Sequence, residues 1–325
     1  MITAYRSRGD RLERLDLDRQ TLGESRWIDL EHPTAAEEDA VEAALGIGIP
    51  TREDMQEIEA SSRAYTEDGA LFLTAQVLAT RDDGGYDIGP VTFVVMPERL
   101  VSVHYHHPGS FQYFADWAAR HDTPLSCGAA TLLGLMEAVV DRLADILEAE
   151  ARKLDLLSRT IFDSSRPNSQ NDRLSVVLQR VGRAEDLNFK VNESLATALR
   201  MLNALAAPSL PGMQAPLAGL DRPQLKSLIA DLRSLREVAK AQSEKIRFQL
   251  DATLGAINIR QADIVKLFSV VAFVFLPPTL IASIYGMNFD HMPELHWSWG
   301  YPLALGAMVV SAVVPWLFFR WKRWL

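Results

Sequence analysis

Cysteine is almost absent from this sequence, since Cys127 is the only one among 325 residues. One cysteine cannot form an intramolecular disulfide, and it cannot supply the paired thiolates of a structural zinc site. This usage fits a domain in the reducing cytosol. Catalytic motifs are lacking as well, because no glycine-rich phosphate loop and no nucleophile–base set occurs before Leu220. The alternative of a membrane-tethered enzyme or signalling protein therefore has no catalytic residues to support it.

An excess of positive charge is also lacking: 33 Lys and Arg are outnumbered by 42 Asp and Glu, which gives a net charge of -9. Proteins that bind nucleic acids need a basic surface to contact the phosphates, so we expect no nucleic-acid partner. Residues 1–12 contain arginines but no apolar stretch. We therefore expect no secretory signal in this segment.

Long apolar runs are confined to the C-terminal part of the chain. The first covers residues 264–287 and includes Pro277 and Pro278, and the second covers residues 301–319 without a charged residue. A helix over the second run would be roughly 28 Å long, close to the ~30 Å hydrocarbon core of a bilayer. The two runs therefore predict two membrane spans, with lipid as a partner.

The charges that flank these runs predict their orientation. Arg320, Lys322 and Arg323 follow the second run, whereas the short loop of residues 289–300 contains no Lys or Arg. Cytoplasmic flanks of membrane spans are enriched in Lys and Arg. We therefore expect a two-pass protein of the inner membrane with its N- and C-termini in the cytoplasm.

The chain before the spans divides into a mixed part and a helical part. Residues 1–125 alternate β-branched or aromatic stretches with turns, which predicts a cytoplasmic α/β domain with a small sheet. Residues 126–263 keep apolar residues at helical spacing, which predicts a helical stalk region, and residues 264–325 form the predicted transmembrane domain. The predicted strands are 27–30, 70–80, 91–96 and 100–105, and the predicted helices are 35–45 (capped by Thr34), 126–162, 172–205 and 223–285.

The last predicted helix continues from the stalk into the first span. One face of it carries a stripe of residues that recur with a period of about 3.5, which is typical of helices packed around a shared axis. The stripe indicates a pore lined by Asp251, Leu254, Asn258, Val265, Leu276, Thr279 and Ser283. Alternatively, its serines and threonines bond back to their own helix or to a neighbour, near the backbone groups freed by the two prolines. A chain with two spans can form a pore only as several copies.

Three histidines, His104, His106 and His107, precede Pro108 at the end of a predicted strand. Neighbouring residues of a strand point to opposite faces, which separates His106 from His107. We interpret all three as surface histidines rather than as a metal site.

The segment Tyr285-Gly286-Met287-Asn288-Phe289 lies between the two apolar runs, and Met292-Pro293-Glu294-Leu295 follows it. These residues resemble the hallmark of the CorA magnesium-transporter family, in which a Gly-Met-Asn tripeptide ends the first span and an acidic loop follows. The likeness extends over Phe275-Leu276-Pro277-Pro278-Thr279 and, more loosely, over the rest of the chain. Zinc transporters of the same superfamily share the tripeptide, so transport of Zn²⁺, Co²⁺ or Ni²⁺ stays open as the alternative.

The resemblance implies that the protein is a Mg²⁺ influx channel and not an enzyme. The α+β chain would contain a cytoplasmic α/β domain, a long helical stalk and a two-helix transmembrane region. Five copies would assemble as a funnel-shaped homopentamer. Gly286, Met287 and Asn288 would form the selectivity filter, where a ring of amide oxygens hydrogen-bonds the waters of hydrated Mg²⁺. Asp290 and Glu294 would concentrate cations at the outer mouth.

The resemblance also implies gating by cytosolic Mg²⁺, held by carboxylates at subunit interfaces of the soluble domain. The stalk position that would align with the family's sensing carboxylate is Ser227. Asp231 and Asp221 are therefore the candidate regulatory ligands, and Mg²⁺ would be both the transported ion and a regulator. Asp251 would form an acidic ring in the funnel, and Leu276 with Val265 or Phe268 would form a hydrophobic constriction.

Overall fold

The computed structural model describes residues 1–9, 11–16, 19–57, 59, 63–81, 83–123, 125–162, 170–206, 214–288 and 292–322. The chain divides into two compact units, Met1–Gln249 and Leu250–Leu325. The first unit contains a β-sheet and packed helices, and the second contains the apolar helical segments. The domain limits drawn after residues 125 and 263 follow composition and stay predictions.

Seven strands of the described chain form one sheet in the order β2-β1-β3-β7-β6-β5-β4. Neighbouring strands are antiparallel, except that β3 and β7 run parallel. The four predicted strands are confirmed as β3, β5, β6 and β7, whereas the sequence pattern did not predict β1, β2 and β4. The strands are β1 Ile2–Arg8, β2 Arg11–Leu15, β3 Trp27–Glu31, β4 Ala64–Glu67, β5 Ala70–Thr80, β6 Tyr86–Val95 and β7 Leu100–His104.

Trp27 shows how the strand register builds the core. Its ring is 1% exposed, stacks on Tyr5 at 4.8 Å between centroids, and donates from Nε1 to Ser102 Oγ at 2.9 Å. The parallel pairing of β3 with β7 places Asp29 opposite Ser102, whose hydroxyl donates to Asp29 Oδ1 at 2.5 Å. A buried indole and a buried hydroxyl are thus both hydrogen-bonded, as burial of polar groups requires.

The interpretation of the three histidines as surface residues is wrong for His104 and His106. His104 is 1% exposed, with Nε2 3.0 Å from Asp29 Oδ1 and Nδ1 2.6 Å from the His106 carbonyl oxygen. Burial alone lowers the pKa of His104, but the hydrogen bond and charge of Asp29 and the His106 carbonyl raise it above its ordinary value. His106 is half-buried, and burial lowers its pKa to about 4. His107 is exposed and contacts Glu31 at 2.9 Å.

The four predicted helices are confirmed as α2, α4, α5 and α6, whereas the sequence pattern did not predict α1 (Arg19–Glu24) and α3 (Gly109–Arg120). The backbone N–H of Thr34 donates to the Glu37 carboxylate at 2.9 Å, which is one half of a capping box at the start of α2. The fold is α+β, as the sequence predicts. The helices are α1 Arg19–Glu24, α2 Ala35–Leu45, α3 Gly109–Arg120, α4 Gly128–Phe162, α5 Gln170–Ala206, α6 Arg222–Tyr285 and α7 Gly300–Trp321.

Two buried glutamines of α6 hold it against α4. Gln242 Nε2 donates to the Leu147 carbonyl at 2.8 Å, and Gln249 Nε2 donates to the Leu154 carbonyl at 2.7 Å. The two donors are seven residues apart, and so are the two acceptors. One relative register of the helices therefore satisfies both bonds, and a slip of either helix would leave buried amides unpaired.

Two helices of the described chain, α6 and α7, are long and apolar enough to cross a membrane, and nearly all of each apolar window is exposed. The predicted spans 264–287 and 301–319 fall on these helices. The rings of Phe273 and Phe319 lie 5.9 Å apart between centroids, so α6 and α7 pack against each other in the second unit. Side chains that face outward on two such apolar helices fit a lipid environment.

Candidate functional site

The end of α6 presents the predicted filter tripeptide. Gly286 directly follows Tyr285 and donates its backbone N–H to the Ala282 carbonyl at 2.9 Å. A Cβ at this position would lie 3.1 Å from the same oxygen, which is tighter than ordinary contact. The φ angle of Gly286 is not positive. Glycine therefore suits this position because a side chain would crowd the helix end, and not because the backbone is left-handed.

Met287 and Asn288 continue the chain beyond the helix. Met287 donates its N–H to the Ile284 carbonyl at 3.3 Å and is 46% exposed, and Asn288 is also exposed. Asp290, predicted for the outer mouth, lies outside the described residues. Glu294 lies in the short 3-10 helix Pro293–His296, but its side chain is likewise outside the described part.

The side chains predicted to line a pore are exposed in the single chain. Since neighbours on other faces of α6, such as Phe268 and Phe273, are exposed as well, exposure alone does not select this face. A second copy of the chain would be needed to distinguish a pore face from a lipid face. The exposed members of the stripe are Asp251, Leu254, Asn258, Val265, Leu276, Thr279 and Ser283.

Two hydroxyls of α6, that of Thr279 on the stripe and that of Ser269, bond back to their own helix, as the alternative interpretation describes. Ser269 Oγ donates to the Val265 carbonyl at 2.9 Å, and Thr279 Oγ1 donates to the Phe275 carbonyl at 2.7 Å. Each bond uses the single hydroxyl proton, whereas the oxygen keeps a lone pair that can accept another hydrogen bond. The two interpretations are therefore compatible: a hydroxyl anchored in this way presents an acceptor and no donor.

Val265 and Leu276, the predicted constriction, are 59% and 65% exposed on the same helix. They are separated by about 16 Å along the axis, at ~1.5 Å per residue. Around a shared axis they would form two apolar rings at different depths and not one ring.

Asp221 has a structural contact that the sequence did not reveal. It immediately precedes α6, and its Oδ1 accepts the backbone N–H of Gln224 at 3.2 Å. This is the side-chain bond of a helix N-cap, which satisfies one of the free N–H groups of the first turn. One oxygen of the carboxylate is thus already engaged.

Asp231 lies on the exposed side of α6 and faces a carboxylate that sequence reasoning missed. Burial raises the pKa of Asp141 on α4, and the nearby carboxylates of Asp145 and Asp231 raise it further. Asp141 and Asp231 are far apart in the sequence, so only the packing of α4 against α6 shows their proximity. The three carboxylates repel one another, and a bound cation would reduce that repulsion.

The described residues contain no group of three or more His, Cys, Asp or Glu side chains that could hold a metal ion. Mg²⁺ prefers six oxygen ligands and usually keeps several waters. A regulatory Mg²⁺ ion on Asp231 would therefore need waters or carboxylates from another copy of the chain.

Comparison with known proteins identifies the family. The family model for CorA-like Mg²⁺ transporter proteins matches residues 23–323. The chain belongs to the CorA family of Mg²⁺ transporters. The magnesium transport proteins CorA of Yersinia pseudotuberculosis and Escherichia coli K12 are each 34% identical to it, over 328 and 327 residues, and the comparisons cover 100% of this chain and of each relative.

The solved structures agree with CorA membership at the level of the fold. The complete CorA magnesium transporter of Methanocaldococcus jannaschii matches with a TM-score of 0.74, covering 100% of this chain and 99% of that one at 18% identity. CorA proteins are ion transporters and not enzymes, and Mg²⁺ is the ion they carry. The two apolar helices of this chain fit an inner-membrane transporter with two spans.

Proposed function

We propose that the chain is one subunit of a homopentameric, funnel-shaped Mg²⁺ influx channel of the inner membrane. One observation carries this proposal: in a CorA-family chain, α6 bears an exposed stripe that includes Asn258, Thr279 and Ser283 and leads directly into Gly286-Met287-Asn288. Two spans cannot enclose a pore, so several copies must share one. The period of the stripe supports packing around a common axis.

Both termini face the cytoplasm in this proposal. Arg320 and Lys322 lie at the end of α7, whereas the loop between the spans has no Lys or Arg. The Arg320 guanidinium lies 5.3 Å from the Trp316 ring centroid, so a cationic and an aromatic group share one helix end. Lys and Arg are enriched on the cytoplasmic side of membrane spans, whereas Trp and Tyr are enriched at both interfaces, so the basic residues support this orientation.

Asn288 provides the filter chemistry. Mg²⁺ gives up its water reluctantly, so a ring of carboxylates would bind it too tightly or demand dehydration. A ring of neutral amide oxygens accepts hydrogen bonds from the waters of the hydrated ion and releases it again. Gly286 keeps the helix end uncrowded, and Met287 packs the turn that presents the amide.

Acidic residues on both sides of the filter attract the ion. Asp290 and Glu294 raise the cation concentration at the outer mouth, and Asp251 forms an acidic ring on the cytoplasmic side. A doubly charged cation gains about 4.6 kcal/mol per 100 mV of inside-negative potential, at ~2.3 kcal/mol per charge. This driving force is sufficient for influx without ATP.

Val265 and Leu276 gate the pore as two apolar rings, because a narrow hydrophobic constriction excludes water and therefore ions. The remaining residues of the stripe line the path on either side of these rings: Leu254 and Asn258 before Val265, and Thr279 and Ser283 after Leu276. Anchored hydroxyls present acceptors toward hydrated cations, which suits this path.

Cytosolic Mg²⁺ stabilises the closed state through carboxylates of the first unit, Met1–Gln249, which is the soluble unit in this proposal. A ligand that binds one state more tightly shifts the population toward it. Asp231 is the stronger candidate ligand, because Asp141 adds a second carboxylate nearby. Asp221 is the weaker candidate, since its carboxylate caps α6.

Ion flux into proteoliposomes under an inside-negative potential tests the proposal, with Mg²⁺, Zn²⁺, Co²⁺ and Ni²⁺ compared and protein-free vesicles as the control. Mg²⁺ should enter at least as fast as the other ions, and flux should rise with the potential. Faster entry of Zn²⁺ would favour a transition-metal transporter, and absence of flux would contradict the channel.

Light scattering of the detergent-solubilised protein tests the pentamer, which a flux-competent monomer would contradict.

A further inference from the structure

A cavity of 480 Å³ lies in the soluble unit, between α3, α4 and the segment that leads into α6. Its apolar wall includes Phe114, which is 2% exposed, and Trp117, which is 39% exposed. Tyr113, one turn before Trp117, is 58% exposed at the rim. Three aromatic rings from one helix thus surround a space large enough for a small organic molecule.

The polar part of the lining has one sign of charge. Four carboxylates border the cavity, and no lysine or arginine occurs among its described lining residues. Within the described chain, Glu137 and Asp141 form no ion pair, although Glu137 accepts the Gln224 side-chain amide at 3.1 Å. The four acidic residues are Asp122, Glu137, Asp141 and Asp221.

Two of these carboxylates already have other roles. Asp122 pairs with Arg11 at 2.9 Å, and Asp221 caps α6. The neighbouring Glu137 and Asp141 lie one helical turn apart on α4, about 6 Å along the axis at ~1.5 Å per residue.

The lining favours an organic cation over a metal ion. Hydrated Mg²⁺ seeks oxygen ligands in a compact octahedron, and the described residues contain no group of three or more acidic side chains able to hold a metal. Aromatic faces make few favourable contacts with a hydrated metal ion. They attract alkylammonium groups and bury the apolar surface of methylene chains. One face of the Trp117 ring stacks on His121 at 5.0 Å between centroids, which leaves the other face for such a contact.

We propose that this cavity binds a linear aliphatic diamine or polyamine. Its ammonium groups pair with Glu137 and Asp141, and its methylene chain lies against Trp117 and Phe114. A ligand in this position bridges α3 and α4 to the first turn of α6 within the soluble unit. The site is separate from the residues assigned to ion conduction.

Isothermal titration of the full-length protein in detergent with spermidine, in buffer containing millimolar Mg²⁺, tests the site. The double variant Glu137→Gln/Asp141→Asn should bind about tenfold more weakly, the scale of two partly exposed ion pairs. Trp117→Leu should bind about threefold more weakly, because the smaller side chain covers less of the methylene chain. Glu148→Gln is the matched control, because it removes an exposed charge from the same helix outside the cavity, and its affinity should equal that of the unsubstituted protein.

Equal weakening by Glu148→Gln would overturn the proposal, since the protein would then attract spermidine only by its overall charge. A second contrary outcome is that spermidine binds only when Mg²⁺ is omitted, with the same affinity for Trp117→Leu as for the unsubstituted protein. That result would show a metal site and would also overturn the proposal. Hydrogen exchange of the unsubstituted protein gives a readout that does not depend on variant folding. Spermidine should slow exchange in α3 and in the first turn of α6, and unchanged exchange there would contradict the proposed position.

Discussion

Asp29→Asn removes the negative charge that lies 3.0 Å from His104 Nε2 in the core of the soluble unit. Both ring nitrogens of His104 face acceptors, the Asp29 carboxylate and the His106 carbonyl. A neutral imidazole has only one N–H, so both contacts are hydrogen bonds only when the ring is protonated. A buried His⁺–Asp⁻ pair therefore forms below the folded-state pKa of His104, which is raised above its ordinary value despite burial.

The burial of this pair sets the size of the effect. The His104 side chain is 2% exposed and that of Asp29 is 15% exposed. Breaking a buried ion pair by removing one partner costs about 3–5 kcal/mol. Asparagine keeps an oxygen for the Ser102 hydroxyl, so we expect a loss near ~3 kcal/mol in the free energy of unfolding. For a unit of this size the melting temperature should fall by about 6–12 °C, at roughly 2–4 °C per kcal/mol.

The effect should depend on pH with a defined sign. Because the folded-state pKa of His104 is raised, its stabilising contribution is complete below the unfolded pKa of about 6.5 and is lost as pH rises through the folded value. Asp29→Asn removes the main causes that raise this pKa and leaves the burial that lowers it. The difference in melting temperature between the two proteins should therefore be largest at about pH 6 and shrink as pH rises.

Thermal unfolding of the full-length protein in detergent, followed by tryptophan fluorescence across this pH range, measures the effect. Asp186→Asn is the matched control, because this carboxylate pairs with Lys190 at 2.8 Å while its side chain is 65% exposed. An exposed pair contributes only about 0–1 kcal/mol. A small change for Asp29→Asn, or a change that is independent of pH, would show that His104 is neutral in the folded protein and would refute the reasoning.

Three further changes test the filter, the regulation and the packing. Asn288→Ala should abolish most Mg²⁺ uptake in proteoliposomes because the amide ring is lost, and normal uptake by an assembled variant would place the filter elsewhere. Asp231→Ala should reduce the protection that Mg²⁺ gives the soluble unit against proteolysis, whereas unchanged protection would contradict a ligand role. Gly128→Ala should cost about 1–3 kcal/mol in thermal unfolding, because its Cβ would lie 2.1 Å from the Arg99 carbonyl oxygen. Gly182→Ala, with nothing within 4 Å of its Cβ, should instead be neutral or stabilise by about 0.5–1 kcal/mol.

Local patterns in the sequence predicted most of the helices. Thr34 and Glu37 cap α2 as expected, since a cap depends on residues three positions apart. The uninterrupted helical spacing after Pro223 predicted α6 through to Tyr285. The apolar runs near the C-terminal end likewise predicted where α6 and α7 are long and apolar enough to cross a membrane. All of these features depend on neighbours in the chain.

The edge strands of the sheet were harder to predict. β2, Arg11–Leu15, carries three charged residues in five and pairs only with β1 in the sheet order. An edge strand tolerates charge because one side of it faces solvent, so its pattern does not differ clearly from that of a loop. β1 owes its place to pairing with both β2 and β3, which a local pattern does not show.

The sequence by itself determined the family, through the tripeptide Gly286-Met287-Asn288 between two apolar runs, because a short motif and a run of hydrophobic residues can be read without knowledge of packing. Only the tertiary structure decided that His104 is buried against Asp29, 75 residues away along the chain, and that Asp141 lies near Asp231. These contacts follow from the parallel pairing of β3 with β7 and from the packing of α4 against α6. Charge and burial at such sites depend on partners distant in sequence, and folding alone brings those partners together.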